Sequence, residues 1–329
     1  MAGVRNFAFL FAYCCSNEND FLLFLDDDIR FESEFYYKKF IPIKGKEAIT
    51  TLYKKTIPHK ILASGVGYYG RADLSAFDNI KLFLEKIELL QNSKSKRKLN
   101  NLFEDIRFLP NLLPVKINLP SKNQTEYGPG ISGAVLATTP ISIRSHALPK
   151  CYNEDWIWLS LLGDSKRCIR RIEPKLLHAE PYEENISHKA FIYQLIGDIN
   201  YIAVEQVMKN APSGINHIEW CKSQINQSHF YWGKKEIYKE LLNAIDKTKE
   251  IKKNINNLDK ISNNQLDNVG EKLNIILEQL EYSFSYIKKQ KNEHLYKQFR
   301  IYLDSIPKWQ TLLDNTRKIF LKKKLYMNK

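Results

Sequence analysis

Phe21-Leu22-Leu23-Phe24-Leu25-Asp26-Asp27-Asp28-Ile29 decides how the rest of the chain reads. Five apolar residues without interruption have the length of a buried strand. The three carboxylates that follow leave the sheet at the strand's C-terminal end, where α/β proteins bind ligands. Three like charges side by side repel unless a cation joins them, and a hard divalent ion with oxygen ligands, Mg²⁺ or Mn²⁺, is the natural solution. The plainer reading is an acidic turn that caps a following helix, with Asp28 as N-cap.

Outward from that stretch, strand and helix patterns alternate. Lys60-Ile61-Leu62-Ala63-Ser64-Gly65-Val66-Gly67-Tyr68-Tyr69-Gly70 is a β-branched and aromatic run punctuated by glycine, and Gly133-Ala134-Val135-Leu136-Ala137-Thr138 is a further strand closed by Pro140. Helical patterns cover residues 3–16, 33–40, 76–91 and 153–163, so the expectation for residues 1–185 is an α/β sheet domain. From residue 186 to 329 the texture is helical. Leu266, Val269, Leu273, Ile276, Leu280 and Ile287 recur at helical steps, with a helical hairpin turning through residues 254–264. That stripe suits either the internal face of a bundle or a seam for self-association. Residues 93–101, with Lys94, Lys96, Arg97 and Lys98, read as a charged surface loop.

The chain has 329 residues, 43% of them hydrophobic and 26% charged, which is globular composition for one large domain or two ordinary ones. Five cysteines are too few for a disulfide framework and suit a reducing compartment. The longest apolar stretch, residues 7–25, is interrupted by Ser16-Asn17-Glu18-Asn19-Asp20, and no secretory leader is expected, so the location read from sequence is cytoplasmic. The net charge of +13 is uneven: +4 over residues 1–185 and +9 over residues 186–329. Lysine and asparagine richness is the compositional mark of an AT-rich genome. Its functional alternative is a patch for anionic membrane lipids, giving peripheral membrane association, or for a polyanionic acceptor. Nucleic acid is not expected, because the lysines alternate with acids and apolar positions.

Three more segments carry chemistry. Asn153-Glu154-Asp155-Trp156-Ile157-Trp158-Leu159 opens a helix with adjacent acids; they favour the helix dipole, or one of them is a general base in a pocket walled by Trp156 or Trp158. His178 ends the apolar run of Lys175-Leu176-Leu177-His178, as a core residue or a metal ligand. Tyr127-Gly128-Pro129-Gly130-Ile131-Ser132-Gly133 lets backbone approach a ligand closely. Gly67-Tyr68-Tyr69-Gly70-Arg71-Ala72-Asp73 reads as a substrate loop, or as a turn in which Asp73 caps the next helix.

In this order, over residues 2–182, a strand with three aspartates, a glycine pair before a short strand, a Glu-Asp helix start and a late histidine resemble the GT-A glycosyltransferases, most like family 2. The resemblance implies a GT-A-like mixed sheet followed by a helical C-terminal region. It also implies a metal-dependent transfer of sugar from a UDP- or GDP-sugar to a hydroxyl of a glycan, lipid or protein acceptor. It makes Asp26 and Asp28 the Mn²⁺ or Mg²⁺ and diphosphate carboxylates, with His178 as third ligand and Asp27 on the sugar or ribose. Ser132 and Gly133 would floor the acceptor pocket. Asp155 would be the base with Glu154 beside it, and Arg5 in Gly3-Val4-Arg5-Asn6 would lie near the diphosphate. That family has a nucleotide-base-binding strand-helix-strand unit ahead of this helix, and the expectation here is a fold without it. The competing readings are a nucleotidyltransferase, which ordinarily carries a glycine-rich basic loop near its N-terminus, and a non-catalytic α/β domain with a basic helical interaction module.

Overall fold

The computed structural model describes residues 2–26, 29–36, 39–56, 61–66, 68–70, 76–91, 126–127, 135–163, 168–171, 176–178, 187–254 and 263–327. It is a mixed α/β molecule with a small mixed sheet and a helical C-terminal region. Helix α1 (Ala2–Cys15) leads through a polar turn into β1 (Leu22–Leu25). The main sheet places β1 beside β8 (Val135–Thr138), then β5 (Ala63–Gly65), β9 (Cys168–Arg171) and β7 (Glu126–Tyr127); β5 and β9 are parallel and the other neighbours antiparallel.

Side chains alternate across this sheet as the pleat requires. Leu22, Phe24 and Leu136 face a cluster built with Phe9 and Tyr13 of α1, Ile143 of α4 (Pro140–Ser145) and Trp158 and Leu159 of α5 (Glu154–Leu162). Leu23, Val135 and Ala137 face the other way, onto Ala48 and Leu52 of α2 (Gly45–Thr56). A second, three-stranded sheet carries β10 (Leu176–His178) between β2 (Ile29–Arg30) and β6 (Tyr68–Gly70). The apolar run at 60–70 is therefore divided between two sheets.

One expected helix is absent. Where a helix over 33–40 was expected, β3 (Glu34–Tyr36) and β4 (Lys39–Ile41) pair antiparallel, with Phe35 opposite Phe40. The segment is rich in aromatic residues, which suit a strand pair better than an isolated helical turn. A strand, β2, also follows the aspartates where an Asp28-capped helix was the alternative.

The third cluster is the largest. It joins Phe77, Phe83 and Leu84 of α3 (Ala76–Gln91) and Ile157 and Leu161 of α5 to the C-terminal helices α6 (His188–Met208), α7 (His217–Gln224), α8 (Gln227–Asn254), α9 (Asn263–Lys289) and α10 (Asn292–Met327). Val269, Leu273, Ile276, Leu280 and Ile287 are buried in it, so the periodic stripe packs inside one chain. Helix α10 serves two cores: Leu295, Phe299 and Leu303 belong to the helical one and Leu313 to the one under α1. Among the described residues no helix is long and apolar enough to cross a membrane.

Candidate functional site

The consecutive elements α1 and β1 and the distant helix α5 bring their ends together, and the same three share a buried aromatic contact. Phe9 of α1 lies 4.8 Å from the Phe24 ring of β1 and 5.4 Å from Trp158 of α5, centroid to centroid, tilted in both cases. Residues four apart on a helix, or two apart on a strand, share a face. Arg5 is four residues before Phe9, Asp26 two after Phe24, and Glu154 four before Trp158. The polar groups therefore meet one layer above the aromatic ones. Arg5 Nη2 donates to Asp26 Oδ2 at 2.9 Å and Oδ1 at 3.3 Å, and Arg5 Nη1 donates to Glu154 Oε1 at 3.3 Å.

The bridge is half-buried: the side chains of Arg5, Asp26 and Glu154 are 25%, 34% and 9% exposed. Burial works against the Arg5 cation, but Asp26, Asp155 and Glu154 around it outweigh that and raise its pKa. Glu154 moves up as well, first from burial and then from the like charge of Asp155, with Arg5 opposing. Asp155 is the more accessible of the two acids and accepts from the Trp156 backbone N–H at 2.9 Å. The site thus holds a guanidinium between two carboxylates, with a further carboxylate on the next residue.

The start of α5 is held from behind by residues that no motif announced. Asn153 sits in the left-handed region at φ 59° and its Nδ2 donates to Asp198 Oδ1 of α6 at 2.7 Å. The residue before Asp198 is Gly197, where a Cβ would fall on the Tyr152 backbone carbonyl, so only glycine lets α6 approach this closely. Burial pushes the Asp198 carboxyl up to about 7, with the Asn153 hydrogen bond pulling the other way. On the other side, Asn6 makes a reciprocal pair with the backbone of Leu148: Nδ2 to its carbonyl at 3.0 Å and its N–H to Oδ1 at 2.8 Å. The one signal in the sequence is a glycine–aspartate pair in the middle of a helix, where each residue disfavours helix on its own.

Of the residues singled out from sequence, Arg5, Asp26, Glu154 and Asp155 come together. Asp27, Asp28, Ser132 and Gly133 lie outside the described residues, as do Gly67, Asp73 and the 93–101 segment. His178 is described in backbone only. It pairs with Ile29 on one side and Gly70 on the other, which places it across the ladder from the residue after Asp28. Trp158 is not a pocket wall: it is fully buried against Phe9, and its Nε1 donates to the His146 carbonyl at 2.9 Å. Trp156 is partly exposed and meets Tyr201 edge-on at 5.2 Å. Buried His146, with Nε2 3.0 Å from the Trp158 carbonyl, is a core residue whose pKa burial lowers to about 3. Among the described residues no group of three His, Cys, Asp or Glu side chains is placed to hold a metal.

No family model, curated protein or solved structure matches this chain. A fixed cation between two carboxylates, at the C-terminal end of a strand and the N-terminal end of a helix, is suited to exchanging partners with an incoming anion. Phosphate oxygens compete for the guanidinium N–H groups that Asp26 and Glu154 occupy here.

Proposed function

We propose that the chain is a GT-A-like glycosyltransferase module, related in layout to family 2, which moves a sugar from a nucleotide-sugar donor to an acceptor hydroxyl. The observation that carries this reading is the Arg5 bridge: the guanidinium joins the strand-end acid Asp26 to the helix-start acid Glu154, which is 149 positions from Arg5 in sequence. In this reading Arg5 turns from Asp26 toward the donor diphosphate and stabilises charge that develops on the leaving group. Glu154 keeps the guanidinium oriented. Asp155, adjacent and more open, takes the proton from the acceptor hydroxyl. Trp156, partly exposed on the same helix, offers an apolar face to a sugar ring.

In this reading Asp26 and Asp28 would hold Mn²⁺ or Mg²⁺ through carboxylate oxygens, with His178, whose backbone pairs with Ile29, as the third ligand. The ion would supply Lewis-acid neutralisation of the diphosphate. Among the described residues β1 is paired on one side only, and Val4, Phe7 and Phe11 are exposed on α1.

The test is calorimetric titration of the chain with UDP and with GDP, each with and without Mn²⁺, repeated on Arg5→Met and Asp28→Ala. Metal-dependent binding of one nucleotide, lost in both variants while the folded CD spectrum persists, is the expected result. Absence of binding, or binding that both variants keep at unchanged affinity, rejects the assignment.

A further inference from the structure

The end of α10 carries exposed apolar side chains that sugar transfer does not use. Leu313 is the last of its residues in the core under α1. One turn later Arg317 ties the helix down, with Nη2 donating to the Ser16 carbonyl at 3.0 Å and the guanidinium over the Tyr13 ring at 5.0 Å. Beyond that anchor Ile319, Phe320 and Leu321 are 58%, 40% and 48% exposed. Successive helical residues point about 100° apart, so three in a row present a bulky apolar collar on several sides. Lys318 and Lys322 bracket the collar, the sequence continues Lys323-Lys324, and no acidic residue follows Asp314.

We propose that this helix end is a docking tip for a bilayer surface rich in anionic lipid headgroups. The charge pattern selects that occupant. A second copy of the tip would oppose lysine to lysine around the collar and repel itself. A nucleic acid would engage the lysines and leave three large apolar side chains in water. A groove on another protein would cover one side of a collar that faces several. A lipid interface meets both demands at once, because hydrocarbon surrounds the collar while the lysine stems extend to the headgroups. The tip starts where Arg317 meets Ser16, just past the C-terminal end of α1, and Arg5 lies at the other end of that helix, about 17 Å away at 1.5 Å per residue. Docking would therefore hold the Arg5–Asp26–Glu154 bridge within reach of a membrane-borne acceptor.

The test is flotation of the full chain with phosphatidylcholine vesicles, with and without phosphatidylglycerol, at low and high salt. Two variants accompany it: Lys318→Glu with Lys322→Glu, and Phe320→Ser with Leu321→Ser. All four positions are exposed, so melting curves equal to the parent's are expected and serve as the folding control. The chain should float only with the anionic vesicles. High salt should weaken the binding, the charge-reversed variant should bind roughly thirtyfold more weakly or worse, and the serine variant should also lose binding. Equal flotation with phosphatidylcholine alone, no flotation with either, or parental binding by the charge-reversed variant overturns the proposal. So does concentration-dependent dimerisation that the serine variant abolishes, or binding to polyuridylate that depends on Phe320 and Leu321.

Discussion

The sheet region and the helical region solve the same stability problem in different ways. In the helical region backbone hydrogen bonds close within each helix, and one continuous apolar cluster from α3 to α10 does the joining. The sheet region has strands of two to four residues, and its two smaller clusters lie on opposite sides of a thin sheet. There, specific contacts carry what volume of core does not: the aromatic group of Phe9, Phe24 and Trp158, the Arg5 bridge above it, and the Asn6–Leu148 and Asn153–Asp198 pairs beside it. The lesson is that polar chemistry sits where short elements need tertiary contacts to hold them, so fold and site share residues in one region and not in the other.

The sharpest way to break that contrast is a matched pair of core deletions. Phe9→Ala removes the ring that joins α1, β1 and α5 and should cost about 3–5 kcal/mol, and it should also abolish nucleotide binding by unseating Arg5. Leu273→Ala, fully buried in the helical cluster, should cost about 2–5 kcal/mol and leave nucleotide affinity where it was. Chemical denaturation combined with calorimetry reads both quantities. Equal binding by the two variants would show that the two regions do not differ in this respect.

The seam between the regions comes next. Gly197→Ala drives a methyl into the Tyr152 backbone and should destabilise by about 1–3 kcal/mol, with α5 displaced from α6. Its signature is a change in fluorescence from Trp156, one turn from the affected backbone. An unaltered melting temperature would mean that α6 slides aside without consequence.

The next effect, read through pH, concerns Asp198. Burial pushes its carboxyl up to about 7 from the ordinary 3.8, so the folded state holds the proton more tightly. The stability linked to this proton is fully present below about pH 4 and is lost as pH rises through 7, on the order of 4 kcal/mol in all. Asp198→Asn keeps an acceptor for Asn153 without the titration. The variant's melting temperature should gain on the parent's across that window, and parallel melting curves at every pH would remove Asp198 as the titrating group.

The smallest expected change lies on the surface between the regions. Arg144 of α4 and Asp314 of α10 form an exposed pair at 2.8 Å. Arg144→Met should shift stability by less than about 1 kcal/mol and vanish into error at high salt. A larger loss would mark this pair as a true fastening of α10 to the sheet region.

Much of this molecule could be read along the chain. The strand before Asp26, the helices at 2–15, 76–91 and 154–162, and the stripe from Val269 to Ile287 follow from periodicity alone, because neighbours two, three or four residues apart write the pattern. Asp26, Glu154 and Asp155 were legible for a related reason, each being a charged residue at the mouth of an apolar element, whereas Arg5 was pointed to only by the resemblance. The hairpin at 34–41 was misread because eight residues with mixed signals contain too little periodicity to separate strand from helix, and pairing between β3 and β4 decided it. Gly197 and Asp198 stayed hidden because their meaning depends on what lies against them.

The sequence by itself determined which faces are apolar and where carboxylates end an apolar run. Arg5 and Phe9, Asp26 and Phe24, and Glu154 and Trp158 are fixed pairs of local geometry. Only the tertiary structure decided that the three pairs stack into one buried aromatic layer with one charged layer above it, and that Asn153 is held from α6. The physical reason is the range of the forces. Backbone hydrogen bonding and side-chain periodicity are settled within a turn or two, whereas the meeting of Arg5 with Glu154 depends on packing across a separation of 149 positions, which no local pattern records.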